Sequence, residues 1–281
     1  MDGKAERFAR MHEERAAFVL ANAWDAGSAI MLHAAGFTAL GTTSGGLALH
    51  RGHRDAANLI GRAATLDNLR EIVAAVPIPV SADLENGFGD RPEEVAETVA
   101  LAARAGAAGG SIEDATGRAE DPLYPFGLAV ERVAAAAETA RAHGFVLTAR
   151  AENFLQRKFG IEETIERLLA YQEAGAHVVY APGLPDTESI ARVCAAVRVP
   201  VNVLAAGAAA RCTVAELGAL GASRISLGSA LSRAAMTSAL RLARGILDAG
   251  ELASEALPIE DLLGGGTAET GGTPEIGQPP A

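Results

Sequence analysis

Short, nearly continuous apolar runs alternate along this chain with longer stretches in which apolar residues recur every three or four positions. The short runs fall at 18–22, 37–42, 76–80, 109–112, 145–149, 177–181, 201–204 and 224–227. Most lack the apolar–polar alternation of a half-exposed strand, so they read as parallel strands buried on both faces. The longer stretches predict helices at 4–16, 26–35, 56–75, 91–105, 128–143, 161–174, 187–197, 214–220 and 229–249. Eight strand–helix alternations joined by short connections favour a closed (β/α)₈ barrel of the TIM type over an open doubly wound sheet. The barrel is expected to occupy residues 1–250 as one domain. Residues 251–281 form an extension, rich in Gly and Pro from about 264, whose composition predicts disorder.

In such a barrel the chemistry sits where strands end. The run at 76–80 leads into Asp83-Leu84-Glu85-Asn86-Gly87-Phe88-Gly89. Residues two apart in extended chain share a side, so Asp83 and Glu85 are expected to aim at one spot. Glu113-Asp114 closes the next strand in the same way. Carboxylates delivered from two neighbouring strand ends suit a hard divalent cation, the alternative being capping and loop acids. Thr43-Ser44-Gly45-Gly46 reads either as an anion-binding nest of backbone N–H groups with the Ser44 hydroxyl beside it, or as a plain glycine turn. Arg150, ending the fifth strand with Glu152 two residues on, is either half of a structural ion pair or a fork for a substrate carboxylate. Asp25 stands where a helix N-cap would, or on the rim. The aperiodic stretch 115–125 is expected to be a loop over the same end.

Composition narrows the function. Of the 281 residues 49% are hydrophobic but only 4% aromatic, an alanine-rich profile that fits close-packed helices. A net charge of −11 argues against a nucleic-acid binder, because phosphate neutralisation needs clustered Lys and Arg. Cys194 and Cys212 lack metal-ligand spacing and read as inert thiols, and His177, at a strand start, reads as structural. No apolar run is long enough for a membrane span and the first residues are charged, so a cytoplasmic protein is expected.

From about Phe18 to Met236 the chain resembles the isocitrate lyase/phosphoenolpyruvate mutase superfamily. The likeness rests on Asn22-Ala23-Trp24-Asp25, Thr43-Ser44-Gly45-Gly46, Gly52-His53-Arg54-Asp55, the Asp83 to Gly89 segment, Ser111-Ile112-Glu113-Asp114 and Ala149-Arg150-Ala151-Glu152. The resemblance implies a helix-swapped barrel, a homo-oligomer (dimer or tetramer), and Mg²⁺, with Mn²⁺ as the substitute, binding a small carboxylate substrate. By motif position it implies Asp83, Glu85 and Glu113 as metal-site acids, some acting through water. Ser44, Gly45 and Gly46 would hold a substrate carboxylate, Arg150 would stabilise enolate charge, and Asp55 would lie beside the oxygens around the metal. The loop at 115–125 lacks the family's Lys-Lys/Arg-Cys-Gly-His gate, and Ala181-Pro182-Gly183 stands where a Glu or His is frequent. Tyr124 and Tyr180 are the candidates to complete the pocket. The expected activity is a carbon–carbon lyase or hydrolase acting on a small 2-oxo or 2-hydroxy acid through an enolate. The alternatives are a P–C bond enzyme of the phosphonopyruvate hydrolase or mutase kind, and a barrel that binds carboxylates without turnover.

Overall fold

A computed structural model of the chain describes residues 3–14, 16–54 and 60–250. Asp55 and residues 251–281, with the expectations attached to them, lie outside this set. The strands are β1 (Phe18–Ala23), β2 (Leu40–Thr42), β3 (Val80–Asp83), β4 (Gly109–Glu113), β5 (Val146–Arg150), β6 (Val178–Tyr180), β7 (Val201–Leu204) and β8 (Arg224–Ser226). They pair in parallel in sequence order, and β8 returns to β1 to close the expected barrel. Around it stand α2 (Ala26–Ala34), α4 (Arg62–Ala75), α5 (Pro92–Arg104), α6 (Phe126–His143), α7 (Ile161–Glu173), α8 (Thr187–Ala196), α9 (Val214–Ala219) and α10 (Ala230–Ala249). Two further helices are α1 (Lys4–Glu13), ahead of the barrel, and the short α3 (Ser44–His50) after β2.

Local chemistry explains these bounds. Pro77 and Pro79 carry no N–H for a ladder, so β3 starts at Val80, downstream of the apolar run, and only the Pro79 carbonyl takes part, accepting from Leu40 N–H at 3.0 Å. Asp25 is the N-cap of α2: its Oδ1 accepts from Ser28 N–H at 2.7 Å while Ser28 Oγ accepts from Asp25 N–H at 3.0 Å, a reciprocal capping box. In β4 glycine is a packing requirement. A Cβ on Gly109 would lie 2.5 Å from the Val146 carbonyl oxygen, and one on Gly110 would lie 2.9 Å from that of Ala82.

The N-terminal end of the barrel is plugged by α1. Phe8 and Met11 pack with Leu20, Ala39, Val146 and Val178, in the first halves of the strands or just ahead of them. His12, also buried, lies edge-on to the rings of Phe8 and Phe18. At the opposite extreme, α10 has only Ser232 buried and leaves Met236, Leu240, Ile246 and Leu247 exposed, Leu247 at 84%. No helix among the described residues is long and apolar enough to cross a membrane.

Candidate active site

Strand register builds the mouth of the barrel. Glu113 pairs with Arg150, and Arg150 with Tyr180, so three neighbouring strands end at one height with side chains turned the same way. A cavity of about 530 Å³ opens above them, lined by Ser44, Asp83, Glu85, Glu113, Arg150 and Glu152 among others, and also by Gly45 and Tyr180. Gly117, Arg118 and Ala119 bring the expected loop against this cavity. The loop is braced by a bridge between Ala115 and Leu123 and by Arg118 donating to Asp90 at 3.0 Å.

Arg150 is the centre of charge. Its Nε donates to Glu152 Oε1, and its Nη1 lies 3.3 Å from Glu113 Oε2. Burial works against the guanidinium charge, but Glu152 and Glu113 outweigh it and hold Arg150 firmly protonated. Glu113 is pushed well above the usual carboxylate range by burial, against the pull of Arg150 and with Glu152, Asp83 and Glu85 adding repulsion. One guanidinium cannot pair with all four acids, and burial raises Glu152 as well, with Arg150 opposing.

The remaining candidates are placed differently from expectation. Asp83 and Glu85 both reach the cavity, but not by strand alternation: β3 stops at Asp83, and Glu85 sits in the left-handed region at φ 49°. The residues expected as a nest form the first turn of α3 and spend donors within the protein. Ser44 gives its N–H (3.0 Å) and hydroxyl (2.8 Å) to Asp83 Oδ2, and Gly46 N–H goes to Thr43 Oγ1 at 3.1 Å. Gly46 is there for close packing, since a Cβ would meet Thr43 Cγ2 at 2.5 Å and Trp24 Cβ at 3.0 Å. Ser44 and Gly45 do line the cavity. Tyr124, proposed from sequence as a pocket residue, is instead walled off from it. Its hydroxyl donates to Asp90 Oδ1 at 2.6 Å and its ring lies 3.9 Å from the Arg132 guanidinium carbon. It serves as the root of the loop.

Asp114, offered from the sequence together with Glu113 as a carboxylate for the cation, does not line the cavity, and Arg167 and Tyr171, which hold it, had no role assigned from the sequence. Asp114, buried beneath Glu113, accepts from Tyr171 Oη (2.6 Å), Arg167 Nη1 (3.0 Å) and Glu152 N–H (2.7 Å). It thereby ties α7 to the ends of β4 and β5. The signal was the i, i+4 pair Arg167 and Tyr171 on the inner face of a helix.

Whether these acids fit a divalent ion is decided by donor chemistry and spacing. A donor set made of carboxylate oxygens suits Mg²⁺ or Mn²⁺. Among the described residues, however, no three His, Cys, Asp or Glu side chains stand close enough to hold an ion directly. Ser44 draws Asp83 aside and Arg150 draws Glu113, so the set fits an ion reached partly through water, as Mg²⁺ favours.

An acid-lined mouth bridged by arginine on a parallel eight-stranded barrel is the architecture of a (β/α)₈ enzyme. Residues 8–247 match the family model for phosphoenolpyruvate phosphomutase, and the chain belongs to that family, within the isocitrate lyase/phosphoenolpyruvate mutase superfamily. Among curated proteins it is 34% identical to an uncharacterised protein of Mycobacterium tuberculosis, over 91% of this chain and 94% of that one. It is 28% identical to the 2-methylisocitrate lyase of Salmonella typhimurium, over 70% and 69%. Among solved structures, a Burkholderia cenocepacia protein assigned provisionally as a lyase/mutase is 49% identical, with a TM-score of 0.88 over 92% of this chain and 94% of that one. The oxaloacetate acetylhydrolase complexed with its product oxalate is 26% identical, with a TM-score of 0.85 over 93% and 94%. The relatives of assigned activity are thus lyases, hydrolases and mutases of small acids.

Proposed function

We propose that this chain is a divalent-metal-dependent carbon–carbon lyase or hydrolase acting on a small 2-oxo or 2-hydroxy (di)carboxylic acid through an enolate. The observation that carries the reading is the clasp of Arg150 between Glu113 and Glu152 at the floor of an acid-lined cavity. Asp83, Glu85 and Glu113 would hold Mg²⁺, in part through water. When bound, the ion supplies electrophilic stabilisation of negative charge on substrate oxygens.

The protein's own groups do the rest. Arg150, fixed in place by two carboxylates before substrate arrives, presents its remaining donors to an oxygen whose charge grows as the bond breaks, so its contribution is largest in the transition state. Asp114 keeps Glu113 and Glu152 at the spacing that holds Arg150. The loop carrying Gly117 and Arg118 limits water above the reacting carbon. The exposed apolar face of α10 supports assembly of the chain into a homo-oligomer, dimer or tetramer, in which a second copy covers Met236, Leu240 and Leu247.

The test is turnover of oxaloacetate, alkylmalates and methylisocitrate with Mg²⁺ and after chelation. Metal-dependent cleavage of at least one acid is expected. Absence of metal-dependent turnover on all of them, with Glu85→Ala indistinguishable from wild type, overturns the reading. The family match favours P–C bond cleavage as the second reading, and a shifted phosphorus resonance on incubation with phosphonopyruvate would select it.

A further inference from the structure

Below the mouth the barrel encloses a second, smaller cavity of about 60 Å³, and Asp83, Arg150 and Tyr180 border both spaces. Its wall holds a residue that the reading above leaves unused. Arg224, at the start of β8, is 3% exposed, yet no carboxylate among the described residues pairs with it. Its partners are neutral. Nε donates to Asn202 Oδ1 at 2.8 Å, and Asn202 Nδ2 in turn donates to Ser226 Oγ at 2.9 Å. Nη2 donates to Thr148 Oγ1 at 3.0 Å, while Nη1 lies 3.3 Å from His12 Nε2. His12 Nδ1 is 2.7 Å from the Phe8 carbonyl oxygen, so Nδ1 carries the ring hydrogen and Nε2 is the bare nitrogen that accepts from Arg224.

A buried charge is either paired or neutralised by a shift in its pKa, and an arginine in a protein keeps its proton. Burial pulls Arg224 down to about 10, still far above neutral pH, and the group that pulls back is the Tyr180 phenol, not an acid. Asp83 is the one carboxylate in the lining of this cavity, and Ser44 holds its Oδ2 through both the N–H and the hydroxyl. Arg150, also in the lining, is clasped by Glu113 and Glu152. The counter-charge for Arg224 is left to come from solution. Donors are ready for it: of the five guanidinium N–H groups three are engaged, leaving one on each Nη. Ser81 and Ser111 line the same space with hydroxyls that have no partner among the described residues. A buried water needs about 10–15 Å³ of such space, so the cavity admits a small ion with waters beside it and excludes a bulky one.

We propose that this cavity is an anion site, in which one chloride-sized monovalent anion lies against the free Nη donors of Arg224 and the hydroxyls of Ser81 and Ser111. The ion is the counter-charge of a guanidinium that the chain itself leaves unpaired. It sits beneath the mouth and takes no part in bond breaking. Its effect is on stability, because Arg224 ties Thr148 of β5, Asn202 of β7 and His12 of α1 together, and all three bonds depend on a guanidinium that stays in place.

The experiment follows thermal unfolding of the full chain, wild type and Arg224→Met, as sodium chloride replaces sodium gluconate at constant ionic strength. Gluconate is too large to enter, so general salt effects act on both proteins alike and the site shows as their difference. Wild-type Tm should rise saturably with chloride, by about 3–5 °C at about ten times the half-saturating concentration, and Arg224→Met should show no such rise. Wild-type crystals soaked in sodium bromide give a second readout that does not require the variant to fold, and an anomalous peak is expected inside the barrel beside the Arg224 Nη atoms. The proposal is overturned by bromide peaks confined to the outer surface, by a chloride response of equal size in wild type and Arg224→Met, or by a wild-type Tm indifferent to chloride. No arm requires turnover, so failure of the enolate reading leaves the result intact.

Discussion

His12 offers a quantitative test of how the barrel is closed from below. The imidazole is buried between Phe8 and Phe18, its Nδ1 lies 2.7 Å from the Phe8 carbonyl oxygen, and the Arg224 guanidinium faces its Nε2. Burial, then the positive charge of Arg224, and more weakly His177, lower its pKa from 6.5 to about 3, with the Phe8 carbonyl opposing. The unfolded chain takes up this proton as pH drops through 6.5, and the folded chain does not until about 3. Stability is therefore full above pH 6.5 and lost progressively below it. One pH unit of such a difference is worth about 1.4 kcal/mol, so at about pH 5 the histidine costs about 2 kcal/mol. For a chain of this length that corresponds to a fall in Tm of about 3–4 °C. His12→Gln removes the titration, and urea or thermal unfolding at about pH 7.5 and about pH 5 isolates it, because other groups titrate equally in both proteins. Wild type should lose about 2 kcal/mol more than the variant between the two conditions. Equal losses, within about 0.5 kcal/mol, would refute the argument.

Three further predictions concern the mouth and the outer surface. Asp114→Asn leaves the buried Arg167 without a counter-charge and should cost about 3–5 kcal/mol in denaturant unfolding; a loss under about 1 kcal/mol would show that Tyr171 and Glu152 do not depend on it. Arg150→Gln should lower turnover about 100-fold or more in steady-state assays, and retention of activity would dismiss a role in charge stabilisation. On α10, covering one leucine is worth about 2 kcal/mol, so replacing both Leu240 and Leu247 with Glu should reduce the mass seen by light scattering to that of a single 28.7 kDa chain, whereas a wild type already at that mass would rule out assembly.

The barrel was legible because each buried strand is a distinct apolar run and each helix a periodic stretch, and this pattern repeats eight times. Errors arose where backbone chemistry overrides composition. The prolines around Ile78 displaced β3 by several residues, and Thr43 capped a short helix where consecutive glycines suggested an open turn. The acids and Arg150 could be placed at one mouth from their positions at strand ends. Their mutual engagement could not, because it depends on register between strands and on which carboxylate reaches the guanidinium first. Tyr124 shows the limit of reading loops by position: a tyrosine beside two prolines turned inward to the Arg132 and Asp90 pair. The column of Arg224, Asn202 and Ser226 left a signal that was passed over, namely polar residues at alternate, inward positions of β7 and β8, each flanked by an apolar neighbour.

The contact between His12 and Arg224 joins residues 212 positions apart, and β1 has one neighbour in β8. On the ribosome, α1 is made ahead of the barrel strands, yet its seat is incomplete until the eighth strand has been translated. Phe8 and Met11 therefore stay uncovered until β6 has emerged, and His12 lacks its last partner until β8 has. Long-range closure of this kind slows folding and leaves the apolar face of α1 exposed to solvent in the meantime.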